Sequence, residues 1–300
     1  MKDPSPLVRA AAVEALGDHL QPSTLPLLIA AARDDFRLVR TRAGAALSTV
    51  PTASLDATDR RAAESATQEY LRTLLARPDD SGSRYNLGNF YLERRDYARA
   101  VEEFTAASRL QPINLAPLAN RALAQAATGN NAQAEASLRE ALAIDPNHAG
   151  VNLNLGMLLA ELGKMKEAEQ AFRTAAKSDP RSAPAAFNLG VLLASDRPVE
   201  CLQWCRRAVA LRPRDTRYGY TLGFFLNQQG QTAEAIQVLT TVIQQNPPSA
   251  EAYVMLGSIH ERQGRWAEAR GVYQRAGANA QLAEAERMQF LARERQLVGR

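Results

Sequence analysis

Apolar and polar residues along this chain follow the period of a helix, and the helical pattern itself recurs. In Asn154-Leu-Gly-Met-Leu-Leu-Ala160 and again in Glu167-Ala-Glu-Gln-Ala-Phe172, apolar side chains fall three and four positions apart, which predicts two amphipathic helices in succession. Proline punctuates the chain at Pro78, Pro112, Pro146, Pro180, Pro213 and Pro247, at intervals of 34, 34, 34, 33 and 34 residues. Aligned on those prolines, further columns come into register. One reads Leu87, Arg121, Leu155, Leu189, Leu222 and Leu256, followed at once by Gly88, Ala122, Gly156, Gly190, Gly223 and Gly257. Ala100, Ala134, Ala168, Ala235 and Ala269 form another, then Phe104, Leu138, Phe172, Leu239 and Tyr273, then Ala107, Ala141, Ala175, Ala208 and Ala276. The chain therefore repeats itself in units 81–114, 115–148, 149–182, 183–215, 216–249 and 250–280.

The columns have a physical logic. Glycine or alanine where two helices cross lets their axes approach to roughly 8–10 Å. Gly129, Gly163, Gly230 and Gly264 supply a positive φ in the turn between paired helices. Each proline ends the second helix, because the residue before it is pushed out of the α region. The fourth unit is one residue short, and the loss falls in Ser195-Asp-Arg-Pro198, where no glycine stands. A capping serine or aspartate with proline in the first helical turn is expected to serve there instead. No unit can bury its apolar face alone, so neighbours must stack.

Outside the repeats the pattern changes. Asp3-Pro-Ser-Pro-Leu-Val-Arg-Ala-Ala-Ala-Val-Glu-Ala-Leu-Gly17 predicts a helix over 5–17 with no partner before it. Helices over 24–33 and 36–47 follow, joined by Asp34-Asp35. Pro51-Thr-Ala-Ser-Leu-Asp-Ala-Thr58 reads as a linker whose Asp56 or Thr58 can cap a helix over 59–77. In that helix Ala66, Tyr70 and Thr73 fall on the second-helix columns. At the far end, a helix from Gln281 to Arg295 is expected to close the array with Leu282, Ala285, Met288 and Leu291 on one face, a partner-binding helix being the alternative.

A 34-residue unit with these columns resembles the tetratricopeptide repeat. The strongest match is Arg84-Tyr-Asn-Leu-Gly-Asn-Phe-Tyr91, continuing through Asp96-Tyr-Ala-Arg-Ala100 to Leu110-Gln-Pro112. The start of the chain is similar to HEAT repeats, whose Asp-Pro, Val-Arg, Ala-Ala and Ala-Leu-Gly signals stand in 3–17, with a complete unit after it. The resemblances imply an all-α, right-handed α-α superhelical solenoid: HEAT-like helices over 1–52, a linker and connecting helix over 53–80, six tetratricopeptide repeats over 81–280 and a capping helix over 281–300. A solenoid opening on half a repeat leaves one face of helix 5–17 to be covered by something else, or by a preceding part of a longer chain. HEAT helices followed by tetratricopeptide repeats look like the tail of some bacterial secreted multihaem cytochromes. No C-x-x-C-H haem-attachment motif is present, and no cofactor is implied.

Composition narrows the chemistry. Net charge is +4 and nearly all cations are arginines, alternating with glutamates as in Glu93-Arg-Arg-Asp96, which reads as a solvated face rather than a nucleic-acid footprint. No apolar run approaches the roughly 20 residues of a membrane span. With no signal core at the N-terminus, a cytoplasmic location is the default, and a periplasmic or extracellular one follows if the chain belongs to a secreted parent. Cys201 and Cys205 sit where the repeat expects core residues and lack further metal ligands or C-x-x-C spacing. His260 takes the place of Tyr91 in its repeat and is expected between helices; no histidine has a nucleophile or carboxylate partner that the sequence can place beside it. An enzyme is not expected.

In the tetratricopeptide family the first helices line a concave groove. Asn86, Asn120, Asn154 and Asn188 recur directly before the leucine column, with Thr221 and Met255 ending the run. Asparagine ladders at this position, as in the O-GlcNAc transferase superhelix, hold the backbone of an extended peptide, because a carboxamide both donates and accepts. The alternative is that these asparagines hold neighbouring repeats together. Four such bonds at ~0.5–1.5 kcal/mol each do not offset ordering a peptide at ~1–2 kcal/mol per residue. Apolar anchors are needed, and Tyr85, Leu153, Met157, Phe187, Val191, Tyr220 and Phe224 are the candidates, with Asn89, Asn227 and Gln228 as neutral polar contacts. Adaptors that grip the acidic tails of heat-shock chaperones place cations beside two asparagines. Here Asn89 and Asn120 match the asparagines, but Tyr85, Gly150 and Asn154 replace the cations. The expected function is a protein- or peptide-binding scaffold with an uncharged or mixed ligand and no nucleic-acid partner. A docking or assembly module of a larger protein is the alternative.

Overall fold

The computed structural model describes residues 3–51, 53, 55–245 and 248–298. Pro247, the last of the proline marks, and Thr52 and Ser54 of the expected linker lie outside the described residues. Among the described residues there are seventeen helices and no strand. The chain divides into two compact units, Met1–Pro146 and Asn147–Arg300. Each is an all-α stack of helices in which sequence neighbours pack side by side.

In the first unit, α1 (Pro6–Asp18) and α2 (Leu25–Ala31) pack on α3 (Arg37–Leu47), and α3 packs on α4 (Ala57–Leu75). Val13, Leu28, Val39, Ala43 and Leu47 form their core. The α3–α4 crossing is very close: a Cβ on Gly44 would lie 2.1 Å from the Ala66 carbonyl oxygen. Asp56 caps α4 by accepting from the backbone N–H groups of Thr58 and Asp59. On α1, Leu7 and Val8 are exposed. Two helical hairpins follow, α5 (Ser81–Glu93) with α6 (Tyr97–Leu110), and α7 (Leu115–Ala127) with α8 (Asn131–Ile144).

The second unit holds four hairpins and a single helix. They are α9 (Ala149–Glu161) with α10 (Met165–Ser178), α11 (Ala183–Leu192) with α12 (Pro198–Leu211), α13 (Thr216–Gln228) with α14 (Thr232–Val242), α15 (Ala250–Arg262) with α16 (Trp266–Ala278), then α17 (Glu284–Gln296). Every first helix of a hairpin is capped by a side chain accepting from its first turn: Asp80, Asn114, His148, Ser182, Asp215 and Ser249.

Within a hairpin the small residue of the first helix is the socket for the large residue of the second. An added Cβ would fall 2.5 Å from the Phe104 ring at Gly88, 2.5 Å from Phe172 at Gly156, 2.7 Å from Leu239 at Gly223 and 2.3 Å from Tyr273 at Gly257. In the fourth repeat the socket holds a thiol instead, with Cys205 Sγ 2.8 Å from a Cβ placed on Gly190. Cys201 and Cys205 are buried core residues, and the hydrogen bond with Cys201, together with burial, pushes the Cys205 thiol up, away from the reactive thiolate.

The turns divide into two kinds. Gly129, Gly163, Gly230 and Gly264 have φ between 69° and 77°. The residue after each donates its N–H to a carbonyl five positions back, as Lys164 does to Leu159 at 2.9 Å, so the helix ends in a 6→1 closure. The first repeat makes the same closure, from Asp96 to Tyr91, with Arg95 at φ 58° in the glycine's place. A left-handed arginine costs on the order of 1 kcal/mol. The shortened fourth turn closes by Arg197 N–H to Leu193 O at 2.9 Å, four positions back, and has no positive φ. One residue fewer removes the need for glycine. The expectation that Ser195 or Asp196 caps α12 is corrected: the cap position is Arg197 with no side-chain bond, and Ser195 Oγ donates to Asp196.

The face expected to bury on the last helix is also corrected. Leu282 is buried, but Ala285 is exposed and Met288 is 56% exposed, while Phe290 and Leu297 are buried instead. The reason is register. α17 begins 34 residues after α15 and has the same 13-residue length, so it stands as a further first helix. Phe290 then occupies the leucine column, where it meets Tyr253 and Tyr273 at ring centroids 5.9 and 6.1 Å away. The glycine column holds Leu291, which fills the space beside Gly277.

The alternating charges of the second helices are interlocked rather than merely solvated. In the second unit Arg173 pairs with Glu169 and Glu200, Arg197 with Glu169, and Arg206 with Glu234 at 2.8 Å. The Arg173 guanidinium holds the Glu200 carboxyl below its ordinary value. These pairs are half-exposed and each contributes about 0–1 kcal/mol.

Two outcomes follow. Gly156→Ala should lower stability by about 1–2 kcal/mol, an overpacking cost partly offset by alanine's helix propensity. Adding Phe172→Leu should restore most of it, since the second repeat already sets Ala122 with Leu138; urea unfolding of both variants checks this. His260 is buried, its Nδ1 has no partner among the described residues, and burial holds its pKa below the usual 6.5. The unfolded chain therefore binds more protons at this group, and stability is lost as pH falls below about 6.5 towards the folded value. His260→Leu, matching Leu226 at that column, should lose less stability than wild type between pH 7 and pH 5.

Candidate functional site

The groove candidates sort into two sets by their place on the first helices. Tyr85, Leu153 and Phe187, one position before the asparagine column, are half-buried among the helices packed around them. Tyr85 packs against Phe104 at 5.8 Å, Leu153 packs against the cluster of Ala175, Ala176 and Ala185, and Phe187 lies on Tyr218 at 4.7 Å. Residues three positions after the asparagine column face outwards. In the second unit Met157, Val191 and Phe224 are 37%, 41% and 40% exposed, one on each of three successive first helices. In the first unit Leu123 has the same place and is 43% exposed. Periodicity marks all these positions as apolar; only the helix rotation tells which are inside.

The asparagines differ among themselves. Asn120 Nδ2 donates to Asn89 Oδ1 at 2.8 Å and to the Tyr85 hydroxyl at 3.1 Å, so it ties α7 to α5. Asn188 Nδ2 donates to the Pro184 carbonyl of its own helix at 3.0 Å. Asn86 is exposed, Asn154 is half-buried, and neither side chain bonds another described residue. Asn89 is half-buried in its bond with Asn120.

The second unit also carries a cavity of ≈ 740 Å³ between α13, α15 and α17. Tyr220, Phe224 and Asn227 line one wall, Val254 and Met255 another, and Gln289 and Phe290 the third. Its α17 wall was not among the sequence candidates. The signal that could have found it is the 34-residue step from Met255, which lands on Gln289. The volume is that of an ordinary ligand cleft. Among the described residues no three His, Cys, Asp or Glu side chains are grouped to hold a metal, and no helix is long and apolar enough to cross a membrane.

Comparison with known proteins agrees with the geometry. The tetratricopeptide repeat family matches residues 85–150, 125–190 and 226–289, more than half of the chain. This chain belongs to the tetratricopeptide repeat family. HEAT repeats match residues 1–86. Among solved structures, Pseudomonas aeruginosa PilF is similar at 19% identity and TM-score 0.58, over 73% of this chain and 99% of that one. The type IV pilus biogenesis factor PilW is similar at 23% identity and TM-score 0.57, over 70% and 98%. YrrB, described as having an unusual peptide-binding site, is similar at 22% identity and TM-score 0.53, over 66% and 97%. At these identities the likeness is one of fold. No match was found among curated protein sequences. The tetratricopeptide repeat fold is typically a non-catalytic module of protein–protein interaction.

The bonding pattern makes a prediction. Asn120→Ala should cost about 1–2 kcal/mol, because it removes two half-buried bonds. Asn154→Ala should stay within about 0.5 kcal/mol of wild type. Chemical denaturation of the two variants distinguishes an inter-repeat tie from an unengaged carboxamide.

Proposed function

We propose that this tetratricopeptide repeat protein is a non-enzymatic scaffold that holds a partner protein by an extended segment laid along the first helices. The observation that carries this reading is the line of exposed apolar side chains Met157, Val191 and Phe224, recurring at repeat spacing. Exposed apolar groups that recur in register are a binding surface more readily than scattered ones. Asn154 and Asn188 run beside that line, and Asn188 keeps its carbonyl oxygen for a peptide N–H. Tyr220, Phe224 and Asn227 carry it into the cavity. In the first unit, Asn86, Leu123 and the free oxygen of Asn120 are the corresponding groups, while Tyr85 and Asn89 act by orienting Asn120.

The division of labour we propose follows the repeats. Residues 81–280 carry the binding array, 1–52 and 53–80 extend and join it, and 281–300 close it. A protein partner fits the charge distribution better than a nucleic acid, since Arg84, Arg121, Arg173 and Arg206 are paired with carboxylates. Covering an exposed apolar side chain contributes up to ~1.5–3 kcal/mol, so three such anchors bring a short segment into the micromolar range.

A peptide array probed with the intact protein tests this. Wild type should select segments with apolar residues at alternate positions. Met157→Ala with Phe224→Ala should weaken the selected peptides at least tenfold with an unchanged urea midpoint. Selection that ignores apolar residues, or survives the double substitution, would remove the groove as the site.

A further inference from the structure

The cavity between α13, α15 and α17 is electrically polarised along its length. Glu251 is the second residue of α15 and Glu286 the third of α17, so both carboxylates stand at the end where these helices begin. Arg262 is the last residue of α15, at the opposite end. All three line the cavity. Eleven helical residues separate Glu251 from Arg262, a distance of about 16 Å along the axis. Between the two ends the wall is apolar, from Phe224, Val254, Met255 and Phe290.

The charged groups are available. Arg262 forms no hydrogen bond or ion pair with any described residue, whereas Arg293 of α17, outside this cavity, pairs with Glu261 at 3.1 Å. Glu251 uses one carboxylate oxygen to accept from Ser249 Oγ, and Glu286 uses one to accept from the Ala283 N–H; each keeps its other oxygen. The Asn227, Gln228 and Gln289 side chains bond nothing else among the described residues.

Resting on the scaffold reading above, we infer that this cavity receives a dipolar peptide segment: a basic residue at the Glu251/Glu286 end, apolar side chains at alternate positions, and an acidic residue at Arg262. An extended chain rises about 3.3 Å per residue, so about five residues separate the two charges. Side chains two apart then point together at the apolar wall, and the three carboxamides are left to pair with the peptide backbone.

The test titrates isotope-labelled full-length protein with end-blocked Lys-Ser-Phe-Ser-Leu-Ser-Glu, whose charged and apolar side chains share one face when extended, by NMR at low ionic strength. Parallel titrations use the same peptide with Gln at both ends, or Lys at both ends. The dipolar peptide should bind about fivefold more tightly than the Gln version, shift amides of α13, α15 and α17, and lose its advantage in high salt. Arg262→Glu should switch the preference to the doubly basic peptide, with the urea midpoint confirming that the variant is folded. Equal affinity for the dipolar and neutral peptides, or an unaltered preference in Arg262→Glu, overturns the inference and leaves the groove reading standing. Binding by none of the peptides overturns both.

Discussion

The insertion of one side chain of the second helix into the notch left by a small residue of the first is what the other features of each repeat depend on. A methyl group at Gly88, Gly156 or Gly257 would sit 2.3–2.5 Å from an aromatic ring, closer than any carbon contact allows. The two helices of the hairpin therefore cannot be drawn together with any other residue there unless the ring shrinks. Their approach brings the flanking alanines, Ala100 and Ala168 among them, into complete burial. It also fixes the rotation of each first helix, and through it which side chains face the neighbour and which face outwards.

The turns obey the same geometry. A hairpin that closes five residues back leaves one residue in the left-handed region, and glycine is the residue that occupies it without cost. Arg95 shows that the closure is retained even with an unsuitable residue, because the helices it joins are held by Phe104 in the Gly88 notch. The fourth repeat reaches the same helix pair with a four-residue closure, and accordingly carries neither the glycine nor the extra residue.

Rotation of the first helices decides which apolar side chains of the second unit face outwards. Moving four positions along a helix, from Leu153 to Met157 or from Phe187 to Val191, takes an apolar side chain from the inter-repeat contact to solvent. The asparagine between them is at the boundary. In the first unit Asn120 turns back to Tyr85 and Asn89; in the second Asn154 turns to neither neighbour. α17, standing in the register of a first helix, adds a third wall to a surface that would otherwise end at α15.

What the sequence determined by itself was everything that depends on period: the all-α repeats, the glycine turns, the buried Cys201 and Cys205, and the buried place of His260. Such features follow from spacing because most of the repeats solve the same steric problem with the same kind of residue at the same place. The cap by Asp56 was legible for a similar reason, since an N-cap is satisfied within three residues. Tertiary structure decided what spacing leaves degenerate. It buried Phe290 rather than Met288, because the register of α17 comes from docking on α16 and not from its own amphipathic pattern. It bonded Asn120 and left Asn154 unbonded, although both occupy one column, because the partner position holds Asn89 in one repeat and Leu123 in the next. It gathered Glu251, Arg262 and Glu286 around one cavity, which no single helix contains.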